Sequence, residues 1–234
     1  MKAILNRELD AYFNSMLGYV FLTIFLLLTG VMFFFVNLAS TSASMTNFFG
    51  QINMWAIFLL PMLTMRMFSE DKKLKTDQLL LTAPISIGEM VFGKFFAAMG
   101  VFLLGVLVTL FYPITLNFFG NLPVAETISC YVGFILLCST IIAIGAFMSS
   151  LTESQIVAAI STYGVLILTL FLGSAASSVS NTYISNALLW LSPLQRFSNF
   201  TKGILDLESV IYYLSLTGLF LFFTVTVFEK RRFK

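Results

Sequence analysis

The chain has 234 residues, of which 59% are hydrophobic and only 10% are charged, and its formal net charge is +2. A soluble domain needs about 25% charged residues to cover its surface, so this composition excludes a water-facing exterior and requires lipid as the surrounding solvent. Histidine is absent, which argues against a His-ligated metalloenzyme, a His-ligated haem protein and a Ser–His intramembrane protease.

Residues 1–16 predict an amphipathic helix that lies on the inner membrane surface ahead of the first span. The polar side chains that share one side of this helix are Asn6, Arg7, Asp10 and Asn14. The apolar side chains on the opposite arc are Met1, Ile4, Leu5, Leu9, Tyr12 and Phe13, and Lys2 and Glu8 interrupt the pattern. A plain helical extension of the first span is the alternative.

Six stretches are long and apolar enough to cross a membrane, which takes about 20 residues in an α-helix. The predicted fold is therefore an all-α membrane protein that forms one transmembrane domain over residues 1–234. Its predicted spans are residues 17–36, 52–68, 95–113, 127–149, 156–176 and 209–228.

Lys and Arg in the connecting segments set the predicted orientation, because cytoplasmic loops carry an excess of these residues. With the N-terminus inside, all but two of the 13 basic residues are cytoplasmic, and only Arg196 and Lys202 are external. The sequence therefore predicts that both termini lie in the cytoplasm.

The cytoplasmic segment 69–94, between spans two and three, has an ordered series of helix signals. A charge run, Glu70 to Lys75, precedes Thr76, which can cap a short helix over Thr76–Thr82 that ends ahead of Pro84. Ser86 to Glu89 form a capping box that starts the next helix. The apolar side chains available for contact on the short helix are Leu79, Leu80 and Leu81. An ordinary basic loop, serving only to orient the chain, is the alternative.

The external segment 177–208 is too polar to span and too hydrophobic for an exposed loop. Two short helices that separate near Pro193 would let it re-enter the membrane or cap the bundle. Residues Thr152 to Gln155 form another potential capping box, at the start of span five. Small residues late in that span, including Gly173 and Ala176, predict a contact with a second subunit, and packing within one subunit is the alternative.

The sequence shows no catalytic equipment. No Asp, Glu, Lys or Arg lies in the middle of a predicted span, and Ser and Thr within the spans have no His or buried acid as a base. No phosphate-binding loop of the G-x-x-x-x-G-K-[ST] type occurs. We therefore expect no enzyme activity and no cofactor on this chain, with any ATP hydrolysis on another polypeptide.

The run Glu70-Asp-Lys-Lys-Leu-Lys-Thr-Asp-Gln-Leu-Leu-Leu-Thr-Ala-Pro84 resembles the signature that follows the second span of ABC-2 type transporter permeases. The family pattern there is approximately Glu-Glu-Lys-x-x-Gly-Thr-Leu-Glu-Leu-Leu-Leu-Thr-x-Pro. The resemblance also includes the segment from Leu191 to Asp206 and the tail from Glu229 to Arg232. It is closest to the short six-span permeases of gliding-motility type operons. Lys75 departs from the family Gly, and Asp77-Gln78 departs from Leu-Glu.

The resemblance implies a half-transporter of the bacterial cytoplasmic membrane. A second copy or a sister permease would pair with it, and two cytoplasmic ATPase subunits would bind ATP and Mg. An auxiliary membrane protein of the same operon could join them, and no nucleic acid is expected. The implied ATPase-coupling residues are Glu70, Asp71, Lys72, Thr76, Leu79, Leu80, Leu81, Thr82 and Pro84, together with the N-terminal helix. The implied external gate contains Pro193, Phe197, Phe200, Gly203 and Asp206.

The expected activity is outward movement of a lipidic, peptide or amphiphilic substrate, because charged residues are scarce among the Phe and Met of the spans. A non-transporting membrane anchor in an ATPase-linked motility, sensing or secretion complex is the alternative, since one fold can serve either role.

Overall fold

The computed structural model describes residues 2–40, 42, 44–76, 86–120, 122–178 and 192–232, which form helices and connecting turns with no strand among them. The helices are α1 (Lys2–Asn14), α2 (Met16–Phe33), α3 (Thr46–Thr64), α4 (Ser69–Lys73), α5 (Ile87–Thr109), α6 (Phe111–Phe119), α7 (Val124–Leu151), α8 (Gln155–Ser178), α9 (Pro193–Thr201) and α10 (Leu207–Arg232). A π-helical turn, Phe34–Leu38, continues α2.

Six helical stretches in the described part of the chain are long and apolar enough to cross a membrane. They are Met16–Leu38, Thr46–Lys73, Ile87–Phe118, Val124–Leu151, Gln155–Ala176 and Leu207–Arg231. For the described residues, the predicted all-α fold and the six helices long and apolar enough to cross a membrane are therefore confirmed. Each stretch begins before its predicted first residue, and all but the fifth also end after the predicted last residue.

Helix α7 is the centre of the bundle. In its most apolar window 78% of the residues are buried, against 22% in the windows of α2, α8 and α10, which lie at the periphery. Two glycines allow neighbouring elements to approach α7 closely. A Cβ atom at Gly145 would lie 2.7 Å from Thr64 Cβ on α3, and one at Gly133 would lie 2.5 Å from Phe200 Cγ on α9.

Helix α1 is a separate element that packs on α5. Extended backbone at Ser15 separates it from α2, so the alternative of a plain helical extension is wrong. The apolar arc of α1 covers α5, where Ile4 contacts Gly93 and Leu9 contacts Gly100. Because the protein itself covers Ile4 and Tyr12 in this way, the predicted position on the membrane surface is not confirmed.

The third span is interrupted where α5 meets α6, at Leu110. Pro113 accounts for the interruption, because it has no N–H to donate to the carbonyl of Thr109, four residues earlier. The Tyr131 hydroxyl on α7 donates to that carbonyl at 2.8 Å. In lipid no water is present to satisfy such a group, so a neighbouring helix has to supply the donor.

Candidate functional site

Polar side chains converge at the end of the bundle formed by α1, α4, the first turns of α5 and the last turns of α10, which we call the charged end. At its centre the second span breaks between α3 and α4. The Ser149 hydroxyl on α7 closes this break by accepting the backbone N–H groups of Phe68 at 3.0 Å and Ser69 at 3.1 Å. It also donates to the Met65 carbonyl at 3.1 Å. A serine hydroxyl can donate once and accept twice, so Ser149 is fully satisfied.

The N-terminal helix also supports the break. The Tyr12 hydroxyl donates to the Leu63 carbonyl at 3.2 Å, near the end of α3. Burial raises the pKa of Tyr12 above its ordinary value, the nearby Glu8 carboxylate raises it further, and Arg66 acts in the opposite direction. Tyr12 therefore remains a neutral hydrogen-bond donor at physiological pH.

Lys94, on α5, occupies the centre of the charged end. Its ammonium group lies 3.0 Å from Glu8 Oε2 on α1 and 2.7 Å from Asp71 Oδ2 on α4. It also donates to the Met67 carbonyl at 2.9 Å and lies 5.5 Å from the centre of the Phe68 ring. The residue is only 2% exposed, and a charge buried to this extent is tolerated because two carboxylates and a backbone carbonyl surround it.

Three charged residues of the family-like motif, Glu70, Asp71 and Lys72, have partners within the chain. Lys72 is 4% exposed, and its ammonium donates to the Ser150 carbonyl on α7 and lies 5.5 Å from the centre of the Phe228 ring on α10. Glu70 forms an ion pair with Arg66. The resemblance implies that Asp71 and Lys72 take part in ATPase coupling. In the structure their charges are engaged within the chain, and their role in coupling stays a prediction.

Lys75 and Thr76 turn the chain sharply after α4. Lys75 has φ +57°, a left-handed conformation that L side chains seldom adopt and glycine adopts freely. The Thr76 hydroxyl then donates back to the Asp71 carbonyl at 3.3 Å and to Asp71 Oδ1 at 3.0 Å. The left-handed turn gives a physical reason for the Gly that the resembled family has at the position of Lys75.

A cleft of about 280 Å³ opens at the charged end between α1, α4 and α5. The ionised side chains that line it are Arg7, Arg66, Lys94, Glu8, Glu70 and Asp71. Three cations face three anions, so the cleft does not select ions of one sign. Among the residues that the structure describes, no group of three or more acidic or cysteine side chains could hold a metal ion.

The predicted contact helix lies almost entirely outside the described residues. Leu79, Leu80, Leu81, Thr82 and Pro84 all fall there, and Thr76 stands at the edge of the described part. Immediately after this segment the capping box is confirmed, because Ser86 Oγ accepts the Glu89 N–H at 3.2 Å.

The capping box predicted at Thr152 is wrong. Its hydroxyl donates to the Ser154 carbonyl at 3.2 Å, and the helix begins only at Gln155. Because Thr152 lies three residues before this start, it is not the residue that caps the helix.

At the opposite end of the bundle the predicted gate residues fix α9 onto α7 and α10. Pro193 begins α9, and its carbonyl accepts the Tyr213 hydroxyl at 2.5 Å. The Phe197 and Phe200 rings are buried, with ring centres 6.2 Å apart. The first of the two predicted short helices falls on residues 179–191, outside the described part.

The chain then turns into α10 through two further gate residues. Gly203 has φ +75°, and a Cβ atom there would lie 3.0 Å from Glu126 Cγ. Asp206 Oδ1 accepts the Glu208 N–H at 3.3 Å, which caps the start of α10. These contacts make α9 a packed cap on the bundle.

Gly173 and Ala176, which are predicted to contact a second subunit, pack within the single chain, and the contact with a second subunit stays a prediction. Both are buried within the single chain, and a Cβ atom at Gly173 would lie 2.9 Å from Ser192 Oγ and 3.3 Å from Gln195 Cγ. The small residue lets α8 pack against the start of α9, so the structure favours the alternative of packing within one subunit.

Sequence reasoning missed Glu8, Tyr12, Lys94 and Ser149 as site residues. Lys94 interrupts an apolar run, which could have indicated a paired charge, but in the sequence it counts equally well as a topological charge. Glu8 had a signal too, because it interrupts the amphipathic pattern of the first helix. The serine at 149 had no signal that distinguishes it from other small helical residues.

A comparison with known proteins finds no matching family model and no matching curated sequence. The likeness to ABC-2 type permeases therefore rests on the motif and the arrangement of the spans.

Proposed function

We propose that the chain is the transmembrane permease subunit of an ABC exporter in the bacterial cytoplasmic membrane, with the charged end on the cytoplasmic side. Two separate ATPase subunits would supply the energy, and a second copy or a sister permease would complete the transmembrane part. The substrate would be a lipid, a hydrophobic peptide or another amphiphile.

The attachment of residues 69–76 to the bundle is the observation that carries this proposal. A loop that only orients the chain needs basic residues and nothing more. Here Ser149 binds the backbone at Phe68 and Ser69, Lys94 binds Asp71, and Lys72 binds the Ser150 carbonyl. These contacts join the beginning of the loop to α5 and α7. A loop that receives force from a partner requires such firm attachment.

The partner contact itself would lie on the short helix at Thr76–Thr82, with Leu79 and Leu80 as apolar anchors. Burial of an aliphatic side chain of this size contributes about 1.5–3 kcal/mol. One such anchor therefore changes the dissociation constant by about tenfold or more. Because Asp71 and Lys72 face inward, apolar contacts would supply most of the affinity.

A cleft of about 690 Å³ at the opposite end supports an amphiphile over an ion as substrate. It is lined by Phe35, Val36, Ser40, Thr46, Asn47, Gly50, Gln51 and Thr201. None of these side chains is charged, and the hydroxyl and amide groups can bind a neutral polar head. On α3 the exposed face continues from Gln51 to Met54 and Phe58, which suits an apolar chain.

The test is the variant Leu79→Asp, assayed with an ABC-type ATPase identified among the neighbouring reading frames. For each permease variant, two quantities are measured: the amount of ATPase that the permease pulls down, and the rate of ATP hydrolysis by the ATPase with the permease in nanodiscs. We expect Leu79→Asp to lose at least about tenfold in ATPase affinity. Leu207→Asp is the matched control, because that leucine is 76% exposed at the opposite end, and it should bind normally. Lys73→Ala should also have little effect, since a solvated charge adds little affinity.

Full binding and stimulation in Leu79→Asp would refute the proposal, because the loop would then act only as a topological anchor. The unmodified permease could bind the ATPase normally and yet show no ATP-dependent movement of a fluorescent phospholipid in proteoliposomes. That result would favour the anchoring role.

A further inference from the structure

Lys94 connects three helical elements. Its ammonium group forms ion pairs with Glu8 on α1 and Asp71 on α4, and it donates a hydrogen bond to the Met67 carbonyl in the break between α3 and α4. With the residue only 2% exposed and enclosed by these groups, its place in the fold is that of a positioning residue.

Each carboxylate around Lys94 has a second partner. Arg7 Nη2 donates to Glu8 Oε1 at 2.5 Å, and the Thr76 hydroxyl donates to Asp71 Oδ1 at 3.0 Å. The ammonium is thus the link between two pairs, one on the N-terminal helix and one on the turn that leads to the loop. Removing it would leave two partly buried carboxylates facing each other without their shared cation.

We propose that Lys94 is the positioning residue that joins α1 to the turn after the second span, so that these two parts move on α5 as one body. On the apolar side of α1, Ile4 and Leu9 pack against Gly93 and Gly100, whose lack of side chains lets α1 lie close to α5. Such apolar contacts are non-directional. The ion pairs at Lys94, together with the hydrogen bond from α1 to α3 described above, fix the position of α1 along α5.

This inference rests on the proposed function for its consequence in transport. If an ATPase moves the loop, Lys94 carries that movement to α1 and, through Ser15, to the first span. The first span would then respond directly, and the loop would act on more than the two spans that it connects.

Hydrogen exchange of the full-length permease in nanodiscs tests the linkage without any ATPase. In Lys94→Met, which removes the charge and keeps the length, amide exchange should rise by about tenfold or more in both 2–14 and 69–76. Exchange in α7 should stay unchanged. Lys73→Met is the matched control, since Lys73 is exposed on α4, and it should leave both segments protected.

Glu8→Gln keeps the inference testable if Lys94→Met fails to fold. It removes only the link to α1, so exchange should rise in 2–14 and remain low in 69–76. An unchanged exchange pattern in Lys94→Met, or a rise in only one of the two segments, would overturn the proposed linkage. So would equal loss of protection in both segments of Glu8→Gln.

A second readout separates positioning from a general structural role. With the ATPase present, Lys94→Met should keep its ATPase affinity within about twofold while losing most of the stimulation of hydrolysis, because the anchors on the loop are untouched. Full stimulation in this variant would overturn the role in coupling. Failure of every variant, the unmodified chain included, to bind an ATPase would refute the proposed function and leave the exchange result standing.

Discussion

The interruption of the third span allows a test of how neighbouring helices supply hydrogen bonds to backbone groups that have lost their partner. Tyr131→Phe removes one hydroxyl and keeps the ring that packs 4.8 Å from Phe49, centre to centre. The Thr109 carbonyl then loses its donor from α7, and Pro113 cannot replace it, because proline has no N–H.

The expected cost follows from burial. Thr109 is 4% exposed and Tyr131 is 8% exposed, so water does not reach the carbonyl readily. Leaving a buried acceptor without its partner costs about 1–3 kcal/mol. In a chain of this size about 2 kcal/mol corresponds to a fall in Tm of about 4–8 °C.

Thermal unfolding of the purified protein in detergent measures this change. Tyr112→Phe is the matched control, because its hydroxyl pairs with Thr29 Oγ1 at 3.2 Å and Thr29 keeps a second bond to the Leu26 carbonyl. This control should shift Tm by much less than Tyr131→Phe.

Pro113→Ala should rescue Tyr131→Phe, because it restores an N–H that can donate to the Thr109 carbonyl. The double variant should therefore be more stable than Tyr131→Phe alone. Equal Tm values for Tyr131→Phe and the unmodified protein, or no rescue by Pro113→Ala, would refute the reasoning.

Three further predictions concern the turn, the core and the orientation. Lys75→Gly should raise the unfolding free energy by about 0.5–1 kcal/mol, because glycine adopts the left-handed conformation freely. Chemical unfolding measures this change, and a denaturant midpoint below that of the unmodified protein would contradict the strain argument. Gly145→Ala should lower stability by about 1–3 kcal/mol, because its Cβ would collide with a threonine of α3, whereas Gly164→Ala, in open space, should be neutral in the same assay. Single cysteines that replace Asn199 or Lys73, in a background without native cysteines, test the orientation by labelling from outside intact cells. The cysteine at position 199 should be labelled and the cysteine at position 73 should not. Strong external labelling at 73 would contradict the proposed orientation.

The spans could be predicted because each depends on local composition. An apolar run of sufficient length is visible in the sequence whatever it packs against. The Ser86 cap was equally accessible, because a capping box lies within four consecutive residues. Both features depend only on the local sequence.

The inward direction of the motif charges could not be predicted in this way. Asp71 and Lys72 lie in a dense charge run that is typical of a solvated surface, and their partners Lys94 and Ser150 are distant in sequence. Whether a lysine is solvated or paired depends on the three-dimensional approach of other helices, which composition does not record. The burial of Gly173 depends in the same way on the position of α9.

During synthesis, the second and third spans enter the membrane before the side chains that complete their backbone hydrogen bonds have been made. The donor for the Thr109 carbonyl, Tyr131, and the hydroxyl that closes the break after α3, Ser149, both lie on α7, which leaves the ribosome later than the segments it completes. The partners of Lys94 on α1 and α4 are made before it. The charged lysine can therefore be neutralised as soon as it emerges, while two earlier helices enter the lipid with their final backbone partners still missing. A nascent chain truncated before α7 should consequently be held by membrane chaperones, and release into the bilayer should follow synthesis of the fourth span.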